Sequence, residues 1–193
     1  VEGVHRRCRG GFVAVVMITG YGIVGFRDRN GIRPLVFGSK KKASGTEYMI
    51  ASESVALDSQ GFTLERDVAP AEAVYIDLNG KLHTKVCAEP GKYTPCIFEH
   101  VYFARPDTLL FGENVYLTRK EMGRYLARQA PVDADIVIGV PDSGNSAALG
   151  YAEEIGLPFE LGITRNHYVG RTFIQPKQRI RSLGVKVKLK DRK

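Results

Sequence analysis

Asp142-Ser143-Gly144-Asn145 is the stretch in which residue type and setting come closest to chemistry. It lies between an apolar, β-branched run at residues 136–140 and a segment with helical spacing that begins at Ser146. A turn from a buried strand into a helix start offers free backbone N–H groups and the positive end of the helix dipole, and both favour an anion. A carboxylate in such a turn can also hold a hydrated magnesium ion. Phosphate or magnesium–phosphate binding is one reading of this turn. The other is that Asp142, Ser143 or Asn145 only caps the helix. A second stretch, residues 166–176, mixes cations, hydroxyls and a glycine with aromatics, and Lys177, Arg179 and Arg181 follow it. Arg171 would offer a fork of donors to phosphate and Gly170 would let the backbone move, so the segment could fold over a phosphorylated ligand. Cations interleaved with Tyr168 and Phe173 equally suit an RNA- or DNA-binding arm, and a solvated basic face is the plain alternative. His100 and His167 have no Ser, Cys or Asp at a telling distance and read as structural. Glu53 and Asp28 read as ordinary turn or strand-end carboxylates.

The elements that must position these groups are of two kinds. Up to about residue 85 the pattern is antiparallel β, with strands expected at residues 11–19, 21–27, 33–38 and 48–52. Gly20 separates the first pair, and Asn30-Gly31 is a tight-turn dipeptide because both residues tolerate positive φ. A short hairpin follows at 73–77 and 81–85, joined through Asn79-Gly80. This pattern suits sheet packed on sheet or on helices. The Pro- and Gly-rich loop 89–95 and the aromatic run 98–103 mark a domain boundary. Beyond it, residues 114–129 read as a helix, with Val115, Met122 and Leu126 at helical spacing and Arg119, Lys120 and Arg124 elsewhere on the surface. A β-α-β unit comes next. Strand 136–140 is a continuous apolar run, as a parallel strand buried on both faces requires. Helix 146–155 has Ala147, Ala148, Tyr151 and Ile155 as its expected buried side, Gly156 ends it, and strand 159–163 returns. Ligands in open α/β sheets bind beyond the carboxyl ends of strands, which nominates residues 142–145 and the segment after residue 163.

With 193 residues and 44% hydrophobic content, the chain can build one ordinary domain or parts of two. Its apolar runs fall far short of the roughly 20 residues a spanning helix needs, and no secretory signal is readable, so a soluble protein is expected. The three cysteines are an odd number without C-x-x-C spacing, which indicates neither a disulfide framework nor a local zinc site and fits a reducing compartment. The net charge of +7 is unevenly placed: residues 163–193 carry ten Lys/Arg and one acid, +9, leaving about −2 for the other 162 residues. Basicity is therefore a property of one segment, which is not a nucleic-acid signature for the whole chain.

Taken in order, these residues resemble one family. Residues 22–35, centred on Arg27-Asp28-Arg29-Asn30-Gly31, and Ala51-Ser52-Glu53-Ser54 look like the central strands of an N-terminal-nucleophile glutaminase domain. Residues 96–107, from Cys96 through Tyr102 to Arg105-Pro106-Asp107, resemble the interdomain segment of the purine amidotransferases. Val140-Pro141-Asp142-Ser143-Gly144 and residues 166–176 are similar to that family's phosphoribosyltransferase half. The whole series resembles an internal portion of the glutamine phosphoribosylpyrophosphate amidotransferases, or amidophosphoribosyltransferases.

The resemblance implies an α+β N-terminal-nucleophile glutaminase half, antiparallel and β-rich, followed by an α/β phosphoribosyltransferase half with a parallel sheet, both incomplete. It assigns residues 1–85 to the first half, 86–110 to an interdomain segment and 111–193 to the second half with its flexible loop. Glutamine would be hydrolysed in one domain and its ammonia would displace pyrophosphate from phosphoribosylpyrophosphate in the other, giving phosphoribosylamine in purine biosynthesis. Asp142, Ser143, Gly144, Tyr168, Gly170, Arg171 and Thr172 would bind substrate, with Arg171 on phosphate, while Tyr102 and Arg105 would line the domain junction. Cys96 would be one ligand of a [4Fe–4S] cluster whose other thiolates lie outside these residues, and Mg2+ would assist the pyrophosphate leaving group. The expected partners are glutamine, phosphoribosylpyrophosphate, purine nucleotides as feedback inhibitors and further copies of the chain, with no nucleic acid and no membrane. The expected compartment is the cytoplasm, with a plastid left open by the unread start. Catalytic residues are expected upstream: the family's nucleophile is a processed N-terminal cysteine, and Cys8, inside the chain, has no free α-amino group to serve as its base. The family's Val-Asp-Asp-Ser-type motif is also absent, so the chain alone is expected to be inactive. The rival readings are an amidotransferase with a different synthase, which leaves residues 166–176 unexplained, a non-catalytic regulator, and a basic-tailed nucleic-acid-binding module.

Overall fold

In the computed structural model residues 1–191 are described, so Arg192 and Lys193, the last two residues of the basic segment, lie outside them. The chain divides into two compact units, Val1–Val115 and Tyr116–Lys193. No helix among the described residues is long and apolar enough to cross a membrane.

The first unit opens with a short helix, α1 (Glu2–Arg7), followed by strands β1 (Val13–Ile18) and β2 (Gly22–Arg27). β3 (Val36–Lys42) and β4 (Gly45–Ala51) form a hairpin, and helix α2 (Ser54–Ser59) leads into β5 (Thr63–Asp67). β6 (Glu72–Asp77) and β7 (Leu82–Val86) complete two antiparallel sheets of order β1-β2-β6-β7 and β4-β3-β5. Local turn chemistry accounts for two of the hairpins. Gly20 takes φ 78° between β1 and β2, and Gly80 takes φ 73° between β6 and β7, where Asp77 Oδ1 also accepts from the amides of Asn79 and Lys81. The core forms where Leu35, Phe37, Val68 and Val74 meet Val13, Ile50 and Leu82. Gly25, in β2, faces Ile50 and Leu35, and a Cβ there would come within 2.9 Å of Ile50. Small size at this position lets side chains associated with one sheet pack against the other.

Asn30-Gly31 does not make a hairpin, because the strands on either side of it belong to different sheets. Two buried charged residues shape this crossing. Asp28, fully buried, accepts from the amides of Asn30, Ile32 and Arg33 at 2.9–3.2 Å. Arg27, 1% exposed, donates to the carbonyls of Arg33, Gly31 and Val68 at 2.7, 2.7 and 2.8 Å. With its backbone groups satisfied inside the unit, the loop can be buried, and Gly31 supplies the positive φ of 61° that the path requires. Asp28 is thus no ordinary turn carboxylate.

Glu72 fixes the β5–β6 connection through two hydrogen bonds of 2.7 Å from Arg66 and one of 2.7 Å from the amide of Ala69. Burial pushes its carboxyl up, but the hydrogen bonds from Arg66 and Ala69 prevail and hold it below the ordinary value of 4.5. A lowered folded pKa gives stabilisation that is present above the unfolded value and is lost as pH falls through the folded one. Glu72→Gln is therefore expected to lower the denaturant midpoint at neutral pH and to flatten its decline below pH 4.5. Urea titrations across that window measure both effects, and parallel profiles for the two proteins would refute the assignment.

Downstream of β7 a π-helical turn (Glu99–Phe103) precedes a two-stranded ribbon, β8 (Leu109–Leu110) and β9 (Glu113–Asn114). Helix α3 (Val115–Gln129) carries the chain into the second unit. There β10 (Val137–Ile138), α4 (Gly144–Ile155) and β11 (Phe159–Glu160) form the expected β-α-β unit, with β10 and β11 parallel. Gly156 closes α4 in the left-handed conformation, its N–H bonded to the carbonyl of Ala152. The returning strand is shorter than expected, because the chain leaves β11 at Leu161 and resumes as β12 (Ile163–Arg165) against a different partner, β13 (Leu189–Asp191). Between β12 and β13 lies α5 (Gln178–Lys188), a helix with no buried residue.

The buried helix faces also differ from those read from apolar spacing. On α3 the buried positions are Val115, Arg119, Gly123 and Ala127, while Leu126 is exposed. On α4 they are Ser146, Gly150 and Ala152, while Ala147, Ala148, Tyr151 and Ile155 are only half-buried. The cause is a close helix contact. A Cβ on Gly123 would run into the backbone of Ala147, and one on Gly150 into the backbone of Lys120, each far inside the 3.0 Å limit. Small residues let the two backbones touch, and the larger side chains are displaced to the flanks. Lys120–Glu153, Arg124–Glu153 and Arg128–Glu154 ion pairs, of 2.5, 2.9 and 2.7 Å, span the same two helices.

Candidate functional site

In the second unit the turn between β10 and α4 carries Asp142, Ser143 and Gly144. The chain turns through hydrogen bonds from Gly144 N to Val140 O, 3.1 Å, and from Asn145 N to Asp142 O, 3.3 Å. Ser143 occupies the helix N-cap but makes no side-chain capping bond. The turn is tightly folded: a Cβ on Gly139 would meet Asn145 Oδ1 at 2.5 Å and Asn145 Cα at 2.8 Å. Asp142 is paired with Arg165, the last residue of β12. This pair joins the two segments that strand-end geometry nominates. Arg165 was not among the residues singled out from the sequence. Its position at a strand end, like that of Asp142, was the available signal.

The segment 166–176 connects β12 to α5 and stays largely exposed. Its start is fixed by Asn166, whose amide donates to Lys188 O at 2.7 Å and whose Oδ1 accepts from the amide of Tyr168 at 3.0 Å. Beyond that, Tyr168 projects fully into solvent, Gly170 and Arg171 are exposed, and Thr172 is half-buried beside Gly184. Lys188 Nζ donates to Gly170 O at 3.1 Å. Arg171 makes no hydrogen bond or ion pair among the described residues, so its guanidinium is available to a ligand. The structure thus brings Asp142 together with Arg165 and leaves Tyr168 and Arg171 extended on a connecting loop.

In the first unit Cys96, Tyr102 and Arg105 lie on a strap held to the loop after β2. Gly91, Thr94 and Cys96 donate their amides to the carbonyls of Arg29, Asn30 and Ile32 at 2.8, 2.9 and 3.1 Å, and Arg29 and Asn30 answer with side-chain bonds to the carbonyls of Glu89 and Lys92. Glu53 then anchors the far end, accepting from the amide of Arg105 at 3.0 Å and from Thr108 Oγ1 at 2.6 Å, with Ser54 Oγ accepting from Leu109 N at 2.9 Å. Glu53 is therefore a docking residue, which strand-end position alone did not disclose. The Arg105 guanidinium turns to Asp107 at 2.8 Å, and Tyr102 is exposed. Glu99 is 3% exposed beside Arg33. Burial raises its carboxyl pKa, Arg33 opposes that, and nearby Glu53 adds to it.

Cys8, Cys87 and Cys96 are free thiols, and among the described residues no three metal-ligating side chains gather. A [4Fe–4S] cluster takes four thiolates, and Cys96 is the one candidate here, so these residues could supply a single ligand and could not hold the cluster by themselves. For Mg2+ the donor set is different. The ion takes one or two carboxylates and completes its shell with water and phosphate oxygens, so the half-exposed carboxylate of Asp142 fits as the protein's share.

Two solved structures match this architecture. A glutamine phosphoribosylpyrophosphate amidotransferase from Bacillus subtilis, complexed with ADP and GMP, superposes with a TM-score of 0.82 at 39% identity, over 98% of this chain and 40% of its own. A structure described as the allosteric regulatory enzyme of purine biosynthesis gives 0.84 at 39% identity with the same coverage. Over the stretch it shares, the chain has the fold of a phosphoribosylpyrophosphate amidotransferase. Amidophosphoribosyltransferases from Pseudomonas aeruginosa, Saccharomyces cerevisiae and Escherichia coli are 56%, 47% and 46% identical to it across 98% of its length. No protein-family model matches the chain. Over nearly its whole length the chain is similar to amidophosphoribosyltransferases, and it spans about two-fifths of the length of the curated relatives it matches.

Proposed function

We propose that this chain is part of an enzyme that transfers glutamine-derived ammonia to phosphoribosylpyrophosphate, giving 5-phosphoribosylamine, glutamate and pyrophosphate in purine biosynthesis. The observation that carries this reading is the 56% identity to the Pseudomonas aeruginosa amidophosphoribosyltransferase across 98% of the chain. Residues 1–85 contribute to the glutaminase domain, 86–110 to the segment between domains and 111–193 to the phosphoribosyltransferase domain. The strap 89–96 and its anchor at Glu53 support Tyr102 and Arg105 as residues of the domain junction. Asp142, the Ser143-Gly144 backbone, Tyr168, Gly170, Arg171 and Thr172 bind phosphoribosylpyrophosphate. Mg2+, when bound, neutralises charge on the departing pyrophosphate. Asp142 serves it through its carboxylate, and Arg165 holds that carboxylate in place beforehand. Arg171 donates a fork of hydrogen bonds to phosphate, and the exposed loop that carries it excludes water as it closes over the sugar. Cys96 is the one thiolate this chain offers to a [4Fe–4S] cluster completed elsewhere in the protein.

The partners that follow are glutamine, phosphoribosylpyrophosphate, other copies of the chain and purine nucleotides. The ADP and GMP of the Bacillus subtilis structure support regulation by nucleotides. The compartment is the cytoplasm, and a role in binding nucleic acid has no support from the relatives. The 193 residues alone, without the family's nucleophilic cysteine and its Val-Asp-Asp-Ser-type motif, turn over neither substrate.

In the intact enzyme, Arg171→Gln is expected to lower kcat/KM for phosphoribosylpyrophosphate by about 10- to 100-fold, the loss of a charge-assisted phosphate contact, while glutamine hydrolysis without that substrate is unchanged. Steady-state kinetics on both half-reactions decide it, and an unchanged kcat/KM removes Arg171 from the site. Iron and acid-labile sulfide analysis of the intact protein, purified anaerobically, is expected to find a cluster that Cys96→Ser diminishes. Absence of iron from the unsubstituted protein would refute the ligand role.

A further inference from the structure

His5 sits outside everything assigned so far. It is 4% exposed, with its ring 5.5 Å from that of Phe12 and 6.4 Å from that of Phe26, and neither ring nitrogen has a hydrogen-bond partner among the described residues. A buried polar group without a partner is costly and calls for an explanation. The ring borders a cavity of about 220 Å³ lined also by Cys8, Arg9, Gly10, Arg29, Asn30 and Gly91. Among the described residues no carboxylate lines it. Asp28, one residue away from Arg29, is committed to the amides of residues 30, 32 and 33. Arg29 spends its Nε on Glu89 O at 2.7 Å, and its two terminal nitrogens have no partner among the described residues. Arg9 is exposed and likewise makes no hydrogen bond or ion pair among them. Next to this cavity is a larger depression of about 440 Å³ that shares His5, Arg9 and Arg29 and adds Arg6 together with two acidic residues, Glu89 and Glu2, the latter paired with Lys85.

Two guanidinium groups with spare donors and a buried imidazole facing the same small cavity form a set that one oxyanion can satisfy at once. Guanidinium presents paired N–H groups to phosphate oxygens, and a neutral imidazole supplies one N–H more. We propose that the cavity bounded by His5, Arg9 and Arg29 binds a phosphate-type oxyanion, either inorganic phosphate or the phosphate of a small phosphomonoester whose organic part lies in the adjoining depression. The site belongs to the first unit and is independent of the function proposed for the Asp142 turn. Burial, reinforced by the positive charges of the Val1 amino group and Arg29 and opposed by Asp28, lowers the pKa of His5. A bound dianion would offset that charge and raise it, which supplies a spectroscopic signature.

The test uses the full chain with 15N-labelled histidine, titrated at constant ionic strength with inorganic phosphate and, separately, with glycerol 3-phosphate, while the His5 ring nitrogens are followed by NMR. Saturable shifts of the His5 nitrogens are expected, with an upward move in its titration midpoint. Arg9→Gln, at an exposed position, is expected to weaken binding about tenfold, the equivalent of one charge-assisted contact. His5→Phe, which preserves an aromatic ring against Phe12 and Phe26, is expected to weaken it as well. Tighter binding of glycerol 3-phosphate identifies a phosphomonoester site, and equal or weaker binding identifies a free-phosphate site. No saturable His5 shift with either ligand up to tens of millimolar, or an Arg9→Gln affinity equal to that of the unsubstituted chain, overturns the proposal.

Discussion

Gly150→Val is expected to destabilise the second unit by about 3 kcal/mol or more, the upper range for overpacking a tight contact, and to lower its unfolding temperature by more than about 10 °C. Helix propensity predicts the opposite sign for a smaller change, since Ala is better than Gly inside a helix by about 1 kcal/mol. Gly150→Ala therefore sets the two effects against each other. The contact should win, because the new Cβ would meet the Lys120 backbone far inside 3.0 Å and backbone cannot move aside as a side chain can. Gly123→Ala should behave alike, through the Ala147 backbone. Gly144→Ala is the control, since its Cβ would find only Val140 Cβ at 3.8 Å. Thermal unfolding by circular dichroism, with hydrogen exchange along α3 and α4, reads the difference. A stabilised Gly150→Ala protein would mean that the helices are not in backbone contact.

Arg27→Met is expected to cost the first unit about 3–5 kcal/mol, the range for breaking a buried charged network by removing one partner. That is a large share of the 5–15 kcal/mol that holds a typical domain together. The reason is geometric. One guanidinium serves the carbonyls of Gly31, Arg33 and Val68 while lying against the rings of Phe111 and Tyr93, at 5.3 and 5.8 Å from their centroids. Methionine fills much of the volume but leaves three acceptors without a donor. Arg27→Lys should recover only part of the loss, because an ammonium group lacks the planar fork that reaches three divergent carbonyls. Urea denaturation gives the magnitude. Hydrogen exchange at residues 30–33 should accelerate before global unfolding, since those amides depend on Asp28 in the same loop. A loss below about 1 kcal/mol, the level of an ordinary hydrogen bond, would show that solvent replaces Arg27 and that the loop holds its shape without it.

These two sites also separate what was legible in the sequence from what was not. The β1–β2 and β6–β7 hairpins, the strand–turn–helix from β10 to α4 and the stop at Gly156 were readable, because turn residues and apolar periodicity act within a few positions of the chain. The turn at Asp142 was legible for the same reason. Helix α5 was not: Ile180, Leu183 and Val187 do recur at helical spacing, but they are exposed and interleaved with cations, so the segment's basic charge is the dominant pattern. Asn30-Gly31 carried a hairpin signal, yet its path is set by Arg27 reaching Val68, 41 positions away, and by the strap at residues 89–96. Leu126 looked like a core residue of α3 until the contact with α4 selected the face carrying Gly123 and Ala127.

By itself, then, the sequence determined the order and type of most elements, the family resemblance and the candidate residues Asp142 and Arg171. Only the tertiary structure decided that Arg165 meets Asp142, 23 positions away, that Glu53 anchors the strap carrying Cys96, Tyr102 and Arg105, and that His5 is buried with no hydrogen-bond partner among the described residues. Local patterns follow from the backbone's own short-range geometry, whereas each of these pairings depends on which distant groups the packed chain brings close enough to satisfy buried charge and hydrogen-bonding capacity.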